Sequence, residues 1–329
     1  MRPRTPHLLV VATLALGTIT LASSAGSGHA AGGPAVIDLS VSANEPTVKP
    51  GQDTGTQTFT VTNQSSSDGI SNVVFRYTTP IFVNIAAPLP GGPGILGCAK
   101  RYTNPDRFVP EVLECTLAAI NAGASTTITV ALNAPTGTPP TPKVSSWGTA
   151  SALPVPGGDT VTDPADAIIT PGVNIDGAPP SPEQRTSPDL YLRPPTGAVY
   201  TDGTDGTLTF SIGNDKAAGP ATQPLRLVFS LPPYVKFHHV DPVQGLYTRC
   251  TGLFDDPADP AVAQIWDCAV APPVGLPPGT EVSTTVDITA RPGGPSGNVW
   301  SSAVATTTGS DHNQNLATGI FAPGVQIIR

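Results

Sequence analysis

Laid against itself, the 329-residue chain matches at an offset of ~152 residues. Asp38-Leu-Ser-Val41 answers Asp189-Leu-Tyr-Leu192, and Thr58-Phe-Thr-Val-Thr-Asn63 answers Thr209-Phe-Ser-Ile-Gly-Asn214. Val74-Phe75 aligns with Val228-Phe229, Cys98 with Cys250, Cys115 with Cys268, and Thr129-Val-Ala-Leu132 with Thr285-Val-Asp-Ile288. Trp147, Ala150 and Ala152 match Trp300, Ala303 and Ala305, and Pro171-Gly-Val173 matches Pro323-Gly-Val325. Matches that keep one order over so long a stretch imply two copies of one domain, residues 36–175 and 189–329. Between them, residues 176–188 carry four Pro and no apolar periodicity, which predicts a semi-extended linker stiffer than a Gly/Ser tether.

Each copy reads as strands. Phe59 and Val61 alternate with Thr58, Thr60 and Thr62, and Leu208, Phe210 and Ile212 with Thr209 and Ser211. Ile128, Val130 and Leu132 repeat the pattern with Thr127 and Thr129 opposite, as do Val286 and Ile288 with Thr285, Asp287 and Thr289. Period-2 alternation rich in Val and Thr marks half-buried antiparallel strands. The 39 Pro and 34 Gly would suggest disorder in isolation. They fall between the alternating runs, however, as in Lys49-Pro-Gly-Gln52 and Pro277-Pro-Gly279, and so act as turn punctuation. With 39% hydrophobic and only 12% charged residues, the chain has apolar surface to bury. The predicted fold class is all-β: two tandem immunoglobulin-like sandwiches of about seven strands each. A copy is longer than that fold usually is, so long loops are expected between residues 85 and 112 and between 239 and 265.

The opening Asp-Leu-x-(Val/Leu), the Thr-rich strand closing on Thr62-Asn63, and the run Leu117-Ala-Ala-Ile-Asn-Ala-Gly-Ala-Ser-Thr-Thr-Ile-Thr-Val130 resemble a conserved extracellular repeat of bacterial surface proteins, a domain of unknown function. The resemblance covers most of residues 36–134 and, more weakly, 189–290. It implies immunoglobulin-like sandwiches in tandem on secreted or cell-wall proteins. The Cys pair of each copy departs from the commonest form of that pattern.

At the N-terminus, Arg2 and Arg4 precede an apolar run from Leu8 to Ala22, and small residues follow to Ala31. This is the form of a secretory signal peptide, residues 1–30, with cleavage after Ala30 or else Ala25; residues 31–35 are then a flexible N-terminus. The run is shorter than the ~20 residues that a membrane-spanning helix requires, so a secreted, extracellular protein with no membrane span is expected. Loss of Arg2 and Arg4 takes the net charge from −8 to −10. An acidic balance of that size argues against nucleic acid as a partner. Four Cys permit three disulfide connectivities. Their equivalence across the repeat selects Cys98–Cys115 and Cys250–Cys268, each closing a loop worth ~3 kcal/mol in the chain-entropy account.

The chain has no nucleophile elbow, HExxH helix, P-loop or CxxC. Adjacent strand residues point to opposite faces, which makes His238 and His239 a poor metal pair; Asp311-His312 lies in a polar loop with no defined nucleophile. Asp255, Asp256 and Asp259 cluster as hard-oxygen calcium ligands do, but Asp is also common in turns, and no metal or other cofactor is assigned. Within the segments closed by the disulfides, Tyr102, Phe108, Tyr247, Phe254 and Trp266 are the candidate binding residues, because long loops on a rigid sandwich are the usual place for recognition. Trp266 also suits a core-capping role, and Trp147 and Trp300 suit core positions. The expected function is non-enzymatic: a structural, adhesion or protein-binding module at the cell surface. A carbohydrate- or cell-wall-binding module is the first alternative, for which the loop aromatics would form an exposed row, and a hydrolase with an unrecognised site is the second.

Overall fold

The computed structural model describes residues 35–135, 144–155, 157–176, 187–193, 195–241, 247–271, 275–300, 302–308, 320–321 and 324–328. The expected signal peptide, most of the expected linker and Asp311-His312 lie outside these residues. The described residues contain strands and no helix. The strands are β1 (Val36–Ile37), β2 (Leu39–Ala43), β3 (Thr47–Val48), β4 (Asp53–Asn63), β5 (Val73–Thr78), β6 (Asn84–Ile85), β7 (Ile95–Tyr102), β8 (Val112–Leu117), β9 (Ser125–Asn133), β10 (Val144–Trp147), β11 (Thr149–Pro154), β12 (Thr160–Val161), β13 (Ile168–Ile169) and β14 (Gly172–Ile175). They continue with β15 (Leu190–Leu192), β16 (Thr196–Tyr200), β17 (Gly206–Asn214), β18 (Leu225–Leu231), β19 (Val235–Asp241), β20 (Tyr247–Phe254), β21 (Gln264–Ala271), β22 (Glu281–Ala290), β23 (Gly297–Trp300), β24 (Ala303–Thr307), β25 (Ile320–Phe321) and β26 (Gly324–Ile328). All belong to one compact unit, Pro34–Arg329.

Among the described residues, every ladder joins two of β1–β14 or two of β15–β26. In the first set a sheet of order β13-β11-β5-β8-β7 accompanies a sheet β2-β4-β9-β6, with β10-β14-β3 and the parallel pair β1-β12 beside them. In the second set β25-β24-β18-β21-β20 has the order of the first sheet. The strands β15, β17, β22 and β19 follow one another as β2, β4, β9 and β6 do, and β23-β26-β16 follows β10-β14-β3. The parallel contact of β14 with β3 returns as that of β26 with β16. Because β16 also pairs with β17, two sheets that are separate in the first set are continuous in the second.

The alternating residues fall as their period requires. Phe59, Val61, Ile128, Val130 and Leu132 are fully buried while Thr127 and Thr129 face solvent, and Leu208, Phe210 and Ile212 are buried in turn. Ladder register corrects one sequence alignment. Phe75 lies opposite Cys115 and Ala152, whereas the residue opposite Cys268 and Ala305 is Leu227, so Val74-Phe75 corresponds to Arg226-Leu227 and not to Val228-Phe229. The difference of two residues preserves the face of every side chain.

Two further expectations change. The segments foreseen as long loops are strand in part: β7 and β20 pair with β8 and β21, while residues 86–94 and the hairpin tips, 103–111 and 255–263, are irregular, and residues 242–246 lie outside the described residues. The disulfides Cys98–Cys115 and Cys250–Cys268 join residues directly opposite one another in these hairpins. Trp147 is half-buried rather than core, with its indole Nε1 beside Gly172; the Trp300 side chain lies outside the described residues.

Strands β5 and β24 are buried along their length on both faces, and β11 and β18 very nearly so. One face of each meets the hydrophobic core, through Phe75 and Tyr77 in the first set and Leu227 and Phe229 in the second. The other face carries Val74, Arg76, Ser151 and Leu153 in the first set and Val228, Ser230 and Val304 in the second, all buried. Strands covered on both sides belong to sheets packed on both sides.

Candidate functional site

The tips of the two disulfide-bonded hairpins lie where residues of the first set meet residues of the second. Arg76, on the outer face of β5 with a side chain only 7% exposed, donates from Nη2 to Asp259 of the second tip, and its Nε lies 3.5 Å from Glu114 on β8. Arg101, at the end of β7, bridges Glu114 at 3.1 Å and Asp256 at 2.9 Å. In the opposite direction Arg226 of β18 grips both oxygens of Asp267 at 2.7–3.1 Å and reaches Asp106 of the first tip at 2.5 Å. Burial pulls the Arg226 guanidinium down, but hydrogen bonds and charge from Asp267 and Asp106 outweigh it and leave its pKa above the ordinary arginine value.

The acidic tip is also held from within its own strand set. Arg291, 8% exposed, donates to the carbonyls of Asp256 and Asp259 at 3.0 and 3.1 Å and to the Asp255 carboxylate at 2.7 Å. Each of the three weak calcium candidates therefore faces a different arginine: Asp255 faces Arg291, Asp256 faces Arg101, and Asp259 faces Arg76. Arginine held against a carboxylate supplies the positive charge that a cation would otherwise bring. Among the described residues, no group of three or more His, Cys, Asp or Glu is placed to hold a metal ion.

The candidate aromatics divide between this junction and the hydrophobic core. Tyr102 and Phe254, both half-buried, meet across it with ring centroids 5.5 Å apart. Phe108 packs edge-on against Phe82 at 5.3 Å, with the guanidinium of Arg226 5.7 Å from its ring centre. Trp266 stacks on Phe237 at 3.8 Å, its Nε1 donates to Gln264 at 3.2 Å, and its ring lies over Gly252 on β20. Tyr247 begins β20; its side chain lies outside the described residues. Tyr234, beside the second tip, is driven up to about 12 by burial first and by the Asp259 charge second, with Arg76 opposing.

At His238 and His239 the expected strand alternation is interrupted. A bulge between Phe237 and His239 brings the two rings edge to face at 5.2 Å. His238 Nδ1 lies 3.2 Å from Asp205 and His239 Nε2 lies 3.0 Å from Asp287. A hydrogen bond from Thr289, with smaller contributions from the two His, holds the Asp205 carboxyl below its ordinary range.

The arginines of the junction are what inspection of the sequence passed over. Their signal is nevertheless present: β5 and β18 each carry one Arg in an otherwise apolar run, Val73-Val-Phe-Arg-Tyr77 and Leu225-Arg-Leu-Val-Phe229. Such a strand is hydrophobic on both faces, and a lone Arg within it has to meet an acid.

No family model matches the chain, and no curated protein matches it. Among solved structures, a protein of unknown function from Porphyromonas gingivalis W83 aligns over 88% of this chain and 99% of its own, at 14% identity and a TM-score of 0.29. The Enterococcus faecalis MSCRAMM ACE, described as binding its ligands by the collagen hug, aligns over 89% of this chain and 95% of its own, at 9% identity and a TM-score of 0.26. The C-terminal domain of the Streptococcus agalactiae antigen I/II polypeptide BspA covers 88% and 99%, at 8% identity and 0.22. TM-scores this low establish neither a shared fold nor a shared function.

Proposed function

We propose that this chain is a secreted, non-enzymatic protein of the bacterial cell surface, in which two immunoglobulin-like repeats, 36–175 and 189–329, act together as one protein-binding or structural module. The observation that carries this is the junction. Arg76, Arg101 and Arg226 clamp the two hairpin tips through Asp259, Asp256 and Asp106, so the polar side chains gathered there fix one repeat to the other instead of lining a cleft around a substrate. The matching strand orders of the two sets support the division into repeats. The two disulfides support an oxidising, extracellular location. Tyr102 and Phe254 pack on each other rather than forming an exposed row, which favours a protein partner over the glycan alternative.

Cells and medium of the producing organism should be fractionated and probed for the protein, and tagged residues 31–329 added to intact cells. Recovery from the medium or wall, with binding that is lost after protease treatment of the cells and kept after periodate oxidation, supports the proposal. A cytosolic protein contradicts it, as does binding that periodate abolishes and protease spares.

A further inference from the structure

We propose that the two repeats dock through a pseudo-twofold axis that passes between Tyr102 and Phe254, so that the junction is a self-complementary, homodimer-type surface carried within one chain. The inference rests on the two halves being copies of one sandwich, and not on where the protein works or what it binds. Closed twofold interfaces differ from head-to-tail ones by reciprocity: if site i of one copy touches site j of the other, j of the first touches i of the second, and residues on the axis touch their own equivalents.

Both marks are present. Tyr102 and Phe254 each stand four residues after the first Cys of their hairpin, each at the end of its strand, opposite Val112 and Ile265 respectively, and it is these two rings that meet. Asp106 and Asp259 each stand nine residues before the second Cys. Their surroundings share two hydrogen bonds: each Oδ1 accepts from the backbone N–H two residues on, Phe108 or Ala261, at 3.0 Å. The carbonyl following each, of Arg107 or Pro260, accepts from the N–H of Phe82 or Tyr234, the two corresponding residues that share a φ of 66°.

Each of these equivalent carboxylates takes an arginine from the corresponding strand of the other copy: Asp259 takes Arg76 of β5, and Asp106 takes Arg226 of β18. The arginines are two ladder positions apart, Arg76 matching Val228 and Arg226 matching Val74, but they project from the same outer face. The surface is thus reciprocal in layout while its side chains have diverged. Ser151 of β11, whose hydroxyl donates to the Ala261 carbonyl at 3.4 Å, likewise matches Val304 of β24, which is fully buried.

The test keeps the whole chain: a specific protease site is inserted between Pro180 and Ser181, the purified protein is cut, and the fragments are followed by size-exclusion chromatography with light scattering. The fragments should stay together as one 1:1 particle at micromolar concentration. Asp106→Arg and Asp259→Arg, made separately, should each weaken the association of the cut halves by more than about tenfold. Reversing Arg226 as well, in the double variant Arg226→Asp with Asp106→Arg, should restore most of the loss. Circular dichroism of each cut variant confirms that both fragments remain folded, and the double variant serves as the folded control if a single reversal fails to fold. Folded wild-type fragments that separate on cutting would overturn the proposal. So would a loss confined to one of the two aspartates, which is the behaviour of a head-to-tail contact.

Discussion

Arg76 is the residue whose environment makes the strongest demand. Its guanidinium is nearly buried, its Nε and Nη1 make no hydrogen bond, and Glu114 lies 3.5 Å from Nε, so the ion pair through Nη2 to Asp259 is the closer of the two that balance it. Removing one partner of a buried pair leaves an uncompensated charge, whereas replacing both with apolar groups of similar volume is often neutral or stabilising. Asp259→Ala is therefore expected to cost about 3 kcal/mol in urea unfolding, and Arg76→Met combined with Asp259→Leu much less. Equal losses in the two would contradict a buried, charge-dominated contact. Nearby, Tyr234 titrates at about 12 in the fold, against an ordinary tyrosine value near ~10 in the unfolded chain. Between those values the folded state keeps a proton that the unfolded state has lost, so this contribution is whole below about pH 10 and falls as pH rises through about 12. Each pH unit in that window removes about 1.4 kcal/mol, and Tyr234→Phe should lose this part of the alkaline decline in stability. Tyr77, raised well above its ordinary value by complete burial, keeps its own share of the decline in the variant. An unchanged alkaline slope in Tyr234→Phe would place the tyrosine outside the buried junction.

At the scale of single elements, the cross-strand disulfides hold hairpins whose tips carry the junction. Cys98→Ala with Cys115→Ala should lower stability by roughly 3 kcal/mol. Because β7 ends at Arg101 and Tyr102, it should also raise hydrogen exchange in residues 95–117 and across the tip of residues 255–263. Exchange confined to residues 95–117 would contradict coupling of the tips. Strands such as β4, β9 and β17 were legible because one face of each is wet, and Thr alternates with Phe, Val or Ile at period 2. Strands β7 and β20 were not: Gly97, Cys98, Lys100 and Arg101 lack a clean alternation, and register shifts at the bulges beside Gly97 and Gly252 break the period. The apolar run of β18 hid a second buried face, because continuous hydrophobicity does not say what covers it. The same limit applied to the candidate residues. Tyr102, Phe254 and the three aspartates were singled out for type and position, and those features do not reveal that Arg291 already meets Asp255 and that arginines of the other strand set already meet Asp256 and Asp259. Asp106, which completes the reciprocal pattern, drew no notice as one acid in a mixed-charge loop.

For the whole molecule, two strand sets share one order, and ion pairs run between them in both directions. A chain of two sandwiches tethered by a Pro-rich segment would be expected to move as two bodies. Buried outer faces on β5, β11, β18 and β24, together with ion pairs in both directions, instead make the halves one body whose surface is the remaining sheets and edges. Spin labels on cysteines introduced at the exposed strand positions Thr127 and Thr207, one in each strand set, test this most directly through pulsed electron resonance distances. The expected result is a single narrow distance distribution that is the same before and after cutting an engineered site between Pro180 and Ser181. A broad distribution in the intact protein, or one that spreads once the linker is cut, would contradict a junction that fixes the two repeats together.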